Sequence, residues 1–169
     1  MSTKQKTIQH DVSVHGKGLH LGKEAKVVFK PAKENSGICF IRVDLPGKPV
    51  IKAEYKNILQ QDALSRCTSL KNGEAVVHTV EHIMAVLYGL SIDNLIIEIN
   101  AEELPGLDGS GQEYQNILKK AIVVEQGAER EFIDIKEPIC LEEKDSSLFA
   151  IPASELKVSY ILDYQHPIL

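Results

Sequence analysis

In the stretch Val76 to Leu90, VVHTVEHIMAVLYGL, His78 and His82 stand four residues apart and Glu81 precedes the second. Three readings fit that spacing. In the first, His-x-x-Glu-His is the inverted zinc-peptidase pattern. Residues i and i+4 share a helix face, so both imidazoles reach one ion and Glu81 takes a proton from its water. Zinc lowers the pKa of such a water from near 16 to about 7, which lets a carboxylate act as base at neutral pH. In the second, His82 alone binds the metal and Glu81 is the base. In the third, the histidines are incidental to a helix. His78 falls at or before the expected helix cap. The acidic residues that would complete a peptidase site, Glu142 and Glu143, lie in a predicted strand and turn rather than on a second helix. A helix N-terminus favours a negative carboxylate and disfavours an imidazolium. One histidine plus one glutamate is therefore chemically sensible there without His78.

The elements that must hold these residues change texture along the chain. TIQHDVSV and EAKVVFKP read as strands around a turn-rich HGKGLHLGK, and ICFIRVD and VIKAEYK as two more strands joined by LPGKP. Asn72-Gly73 suits a type I′ hairpin turn. The period then becomes helical, with Val80, Ile83, Met84 and Leu87 on one face, Thr79 as N-cap and Gly89 at the C-terminal end. DNLIIEIN is a dense buried strand and AEELPGLDGSGQ a loop. EYQNILKKAIVV reads as a second helix with Tyr114, Ile117, Leu118, Ala121 and Ile122 facing the core. Beyond Gly127, EFIDIKEPICLEE, SLFAIP and LKVSYILDYQHP read as strands without a helix to cover them.

Composition bounds the function. The chain has 169 residues, 43% of them hydrophobic, with 5% aromatics and no tryptophan, so a core must rest on Ile, Leu and Val. Net charge is -5 and no Lys/Arg cluster could track phosphates, which argues against a nucleic-acid partner. Three well-separated cysteines form no C-x-x-C pair and suggest a reducing compartment. MSTKQKTIQH lacks the apolar core of a signal peptide, and no run approaches the roughly 20 apolar residues of a membrane span. The expectation is a soluble, cytoplasmic protein with no transmembrane segment.

Several blocks together carry a resemblance: GKGLHLGK at 16 to 23, RCTSL at 66 to 70, TVEH at 79 to 82, GLSIDN at 89 to 94, LDGS at 107 to 110 and the terminal DYQHPI. In this order, and over essentially the whole length, the sequence closely resembles the UDP-3-O-acyl-N-acetylglucosamine deacetylases, zinc enzymes of bacterial lipid A biosynthesis. The resemblance implies hydrolysis of the acetamide on the sugar C2 nitrogen, a zinc cofactor, Glu81 as general base and His82 as a zinc ligand, with His78 idle. It places Leu19, His20, Cys67 and Thr68 near the substrate cleft. The family completes its zinc site with a His-x-x-x-Asp pair and a further histidine downstream. Here the only later histidine is His166, followed by no matching aspartate. The implied identity is an N-terminal portion, inactive alone, whose partners are the acylated UDP-sugar and a missing C-terminal half.

Other motifs have quieter readings. Gly16-Lys17-Gly18 precedes a strand rather than a helix, so it reads as a turn and not a phosphate loop. Asp108-Gly109-Ser110 reads as a turn and helix cap, and His10, His15 and His166 as surface or structural residues. Periodicity alone gives an α+β fold; the resemblance implies a two-layer sandwich with helices on one face of a mostly antiparallel sheet. Residues 1–127 form a first domain and 128–169 the truncated start of a similar second one. Two other functions stay open, a non-catalytic binding or folding domain of the same shape and the inverted-motif zinc peptidase.

Overall fold

The computed structural model describes residues 3–60, 64, 66–161 and 163. Its chain divides into two compact units between Arg130 and Glu131.

In the first unit, alternation of apolar and polar residues produces strands with one buried face. β1 (Lys4–Ile8), β2 (Val12–Lys17), β3 (Glu24–Pro31), β4 (Ile38–Arg42) and β5 (Val50–Lys52) come first. The hairpin β6 (Leu70–Asn72) and β7 (Ala75–Val77) leads into helix α1 (Glu81–Gly89). β8 (Leu95–Ile99), helix α2 (Gln112–Lys120) and β9 (Val123–Glu129) complete it. The central sheet has the order β2-β3-β8-β4-β5. All its pairs are antiparallel except β4 with β8. β1 and β9 form a separate antiparallel ribbon, and Arg130 N–H donates to Thr3 O beyond it.

Ala25, Val27 and Phe29 of β3 and Leu95, Ile97 and Ile99 of β8 point into one core, while the intervening residues are more exposed. Both helices cover that face. α1 contributes Ile83 and Leu87, and α2 contributes Tyr114 and Leu118. The Tyr114 ring meets Phe29 edge-on at 6.1 Å, a favoured aromatic geometry. This is the expected two-layer α+β arrangement of helices on a mostly antiparallel sheet.

Three local expectations are corrected. The β6–β7 hairpin pairs Asn72 with Ala75, so its central residues are Gly73 and Glu74, not Asn72 and Gly73. Gly73 has φ 58° and Glu74 is outside the left-handed region. That fits a turn with glycine first, type II′, whereas type I′ needs both residues left-handed. Thr79 is not the cap of α1: it has φ 61° and its hydroxyl bonds elsewhere, while Val80 occupies the cap position without a side-chain bond. At the other end α1 closes on Gly89, as expected, and Ser91 takes the left-handed turn at φ 58°. α2 stops at Lys120; Ile122 has φ 57°, is half exposed and turns the chain into β9.

A network of buried amides holds the ribbon to the sheet. Asn94, 1% exposed, donates to Gln5 Oε1 and Gln126 Oε1, both at 2.8 Å, and accepts Gly37 N–H at 2.9 Å. Its neighbour Asp93 accepts Lys6 N–H at 2.7 Å and pairs with Arg130 at 2.9 Å. Asp93 and Asn94 of the GLSIDN block are thus structural residues.

In the second unit the described residues contain one antiparallel hairpin, β10 (Ile139–Glu143) with β11 (Ser146–Ala150), turned at Lys144, φ 51°. It realises part of two expected strands. Residues 151–161 and 163 belong to no regular element, against the expected strand LKVSYILDYQHP. A strand needs a neighbour to satisfy its backbone groups, and alternation alone does not supply one.

Candidate active site

Glu81 opens α1 and His82 follows it, so both lie in the first turn, where the helix dipole favours a carboxylate. Their placement depends on the segment that leads into β6. Thr68 N–H donates to Glu81 Oε2 at 3.0 Å, and Thr68 O accepts Val80 N–H at 3.2 Å. One residue thereby clamps the helix entry and aims the carboxylate. Both Glu81 and His82 are half-buried. They line a cleft of about 490 Å³ between α1 and the start of α2, with Val86, Gly111 and Gln112 among its walls.

The start of α2 is fixed by short polar contacts. Ser110 donates to Asp108 through its N–H at 3.0 Å and its hydroxyl at 2.6 Å, and Ser110 Oγ accepts Gln112 N–H at 3.2 Å. Hydrogen bonds from Ser110 hold the Asp108 carboxyl below its usual range. Asp108-Gly109-Ser110 is thus the turn read from the sequence, but the cap position of α2 is Gly111, without a side-chain cap bond, and Ser110 stands just before it. Gly111 has φ 79°, and a Cβ there would lie 3.0 Å from Val86 Cγ2, so glycine lets the two helices meet.

His78 lies before α1 in extended backbone bridged to Glu103, and its Nδ1 makes a 2.7 Å bond with Ser69 Oγ. The helical i, i+4 premise of a two-histidine clamp is absent. Cys67 Sγ is 3.7 Å from Ser69 Oγ, the atom that also meets His78 Nδ1. Leu19 and His20 sit on an exposed loop whose backbone reaches the helix entry through Glu103. Oε1 of Glu103 accepts both His20 N–H and the Thr79 hydroxyl at 2.9 Å, and Oε2 accepts Leu21 N–H at 2.7 Å. Of the expected site residues, Glu81 and His82 share the cleft and Thr68 touches Glu81. Leu19, His20, Cys67 and Thr68 do not line that cleft. His15 pairs with Glu24 at 3.2 Å on the surface, and His10 is exposed. His166 lies outside the described residues, as does all of DYQHPI except Asp163.

Glu103 was missed by the sequence reading because glutamates in a polar loop ordinarily face water. The sequence carried no signal for it, since the need for glycine at position 18 shows only in the fold, where a Cβ would meet the Glu103 carboxylate. A catalytic zinc takes three protein ligands. Among the described residues no group of three or more His, Cys, Asp or Glu side chains could hold a metal. His82, beside an aimed carboxylate, fits as one ligand of such a site and no more.

Comparison with known proteins agrees with the resemblance seen in the sequence. The model of the family described as UDP-3-O-acyl N-acetylglycosamine deacetylase (LpxC) matches residues 5–169. A UDP-3-O-acyl-N-acetylglucosamine deacetylase of Saccharophagus degradans is 38% identical over 165 residues, covering 98% of this chain and 54% of the relative. One of Trichormus variabilis is 42% identical over 166 residues, covering 97% and 58%. One of Coxiella burnetii is 36% identical, covering 98% and 54%. The chain thus spans about half the length of these curated relatives. With a family model running from the first strand to the last residue, the chain belongs to the UDP-3-O-acyl N-acetylglycosamine deacetylase family.

Proposed function

We propose that this chain is the N-terminal part of a zinc-dependent amide hydrolase that removes acetate from UDP-3-O-acyl-N-acetylglucosamine in lipid A biosynthesis. The relatives' names supply the substrate, and the half-length coverage supports a further segment that completes the site. In this reading residues 1–127 are a first domain and 128–169 the start of a similar second one. The setting is cytoplasmic; no helix among the described residues is long and apolar enough to cross a membrane.

The observation that carries the reading is the Glu81 carboxylate, aimed by Thr68 N–H in the first turn of a helix with His82 alongside. His82 would hold zinc together with groups from outside this chain. Bound zinc supplies Lewis acidity and a water acidic enough to be deprotonated near neutral pH. Glu81 accepts the proton of the attacking water as its oxygen bonds to the acetamide carbonyl carbon. The tetrahedral species then breaks its C–N bond as Glu81 returns that proton to the nitrogen, giving acetate and a free amine on sugar C2. Thr68 N–H keeps the carboxylate from rotating away. Leu19, His20, Cys67 and Thr68, which stand outside the walls of the cleft that Glu81 and His82 line, would contact parts of the substrate that reach beyond it.

The test is made in the full-length parent. Glu81→Ala is expected to lower turnover about 10²–10⁴-fold with zinc content unchanged, while His82→Ala loses zinc. The isolated chain is expected to bind little zinc. A parent that deacetylates equally well without the Glu81 carboxylate would overturn the assignment.

A further inference from the structure

Glu103 is 2% exposed. A carboxylate that deep persists where donors replace the lost water. Its donors come from two separate parts of the molecule, the loop carrying Leu19 and His20 and the residue through which the chain enters α1. The first part is bound through the backbone amides of His20 and Leu21, at 2.9 and 2.7 Å. The second is bound through the Thr79 hydroxyl, at 2.9 Å. The neighbouring backbone runs between the same parts. His78 N–H donates to Glu102 O at 2.8 Å, Leu104 N–H to His78 O at 3.3 Å, and Gly18 bridges Pro105.

Two further features point the same way. A Cβ on Gly18 would lie 2.2 Å from Glu103 Oε2, so glycine is required for the carboxylate to sit under the loop. Thr79, β-branched, holds φ 61° immediately before Val80 and Glu81. That conformation is costly for such a residue and persists only where its surroundings impose it. The Leu19 side chain does not anchor the loop, since it is 67% exposed.

We infer that Glu103 is a positioning residue, locking the loop that carries Leu19 and His20 to the helix entry that presents Glu81 and His82. The inference rests on the proposed reading of those four as site residues. Glu103 does not touch substrate; it acts through the loop amides and Thr79, keeping the substrate-facing loop and the base in one register.

The experiment uses the full-length parent with the acetylated UDP-sugar. Glu103→Gln keeps the side chain's shape but replaces one acceptor oxygen by an amide that cannot accept an N–H. Gly18→Ala expels the carboxylate from the opposite side. Each is expected to raise KM roughly tenfold, as for one lost charge-assisted hydrogen bond, with little change in kcat or zinc content. Hydrogen exchange over residues 16–23 is expected to accelerate, and the effects of Glu103→Gln and Leu19→Ala to combine less than multiplicatively. Unchanged exchange over 16–23 in folded Glu103→Gln would overturn the inference. So would an unchanged KM, or losses that simply multiply with Leu19→Ala. Should Glu103→Gln fail to fold, Gly18→Ala and Thr79→Val carry the same readouts. A parent without deacetylase activity would sink the proposed function, and the exchange measurement, which needs no turnover, would still decide the lock.

Discussion

Replacing Thr79 by valine leaves the side-chain shape and the left-handed backbone in place and removes one hydroxyl. That hydroxyl donates at 2.9 Å to the Glu103 carboxylate, between residues 3% and 2% exposed. Solvent screening is slight there, and a hydrogen bond to a charged acceptor is worth about 1.5–3 kcal/mol net. The added methyl gains little to offset it, because the site is already closed. Thr79→Val is expected to cost about 2 kcal/mol, or roughly 4–8 °C in the melting temperature of a chain of this size. Thr79→Ser keeps the hydroxyl and loses one buried methyl, about 0.8 kcal/mol. Relief of β-branching at φ 61° offsets part of that loss. The expected order is wild type, then serine, then valine, with about 1 kcal/mol or more between the variants. Thermal and urea unfolding at pH 7, followed by circular dichroism, measures it. A valine variant as stable as wild type, or a serine variant less stable than valine, would show that the Glu103 bond is not what sustains the left-handed residue.

Other outcomes follow from the same geometry. Asn94→Leu strands Gln5, Gln126 and Gly37 and is expected to destabilise the chain by about 3–5 kcal/mol; urea unfolding reads it, and a loss below 1 kcal/mol would refute the network's weight. His78→Ala removes the bond to Ser69 and is expected to cost about 1 kcal/mol while leaving the zinc content of the parent unchanged; metal analysis would expose an error if zinc were lost. Burial pushes the Glu103 carboxyl up, but the bonds from His20, Leu21 and Thr79 outweigh it and hold the group below its ordinary 4.5. A carboxyl depressed by folding contributes stability above its unfolded value, lost as pH falls through the folded one. Stability is therefore expected to decline below about pH 4.5, with that part of the slope missing in Glu103→Gln; parallel acid titrations of both proteins decide it.

Periodicity made the framework legible. The alternation in EAKVVFKP and the dense apolar run of LIIEI gave the two central strands, and the 3.6-residue spacing of Val80, Ile83 and Leu87 gave α1. These patterns are local and report burial directly. Glu81 and His82 were legible as an acid–ligand pair because their chemistry is carried by residue type and adjacency. The fate of Glu103 was not. Its neighbour Glu102 is exposed and pairs with Lys23 at 3.2 Å, while Glu103 is buried under the loop. Nothing in the letters Glu-Glu distinguishes the two, because the difference lies in amides contributed from far along the chain. Thr79 misled for the same reason. Threonine before a helix ordinarily caps it, but here a stronger acceptor outside the helix draws the hydroxyl away and the backbone follows.

The ends of the two site helices make the point in physical terms. Each is only nine residues long, a length at which an isolated helix is marginal in water. α1 is entered just after Thr79 and left through Ser91; α2 is capped by left-handed Gly111 and left through Ile122. Left-handed residues at or beside both ends give each helix sharp limits that propensity does not set. Those limits are held by Glu103 on Thr79, by Ser110 and Asp108 at the α2 cap, and by the Tyr114 hydroxyl on Pro105 O at 2.6 Å. A helix so bounded cannot slide by a turn without breaking these contacts, of which those of Thr79 and Tyr114 are buried. The direction of the Glu81 carboxylate is therefore a tertiary property, set by Thr68 N–H from one side and, through Thr79, by Glu103 from the other.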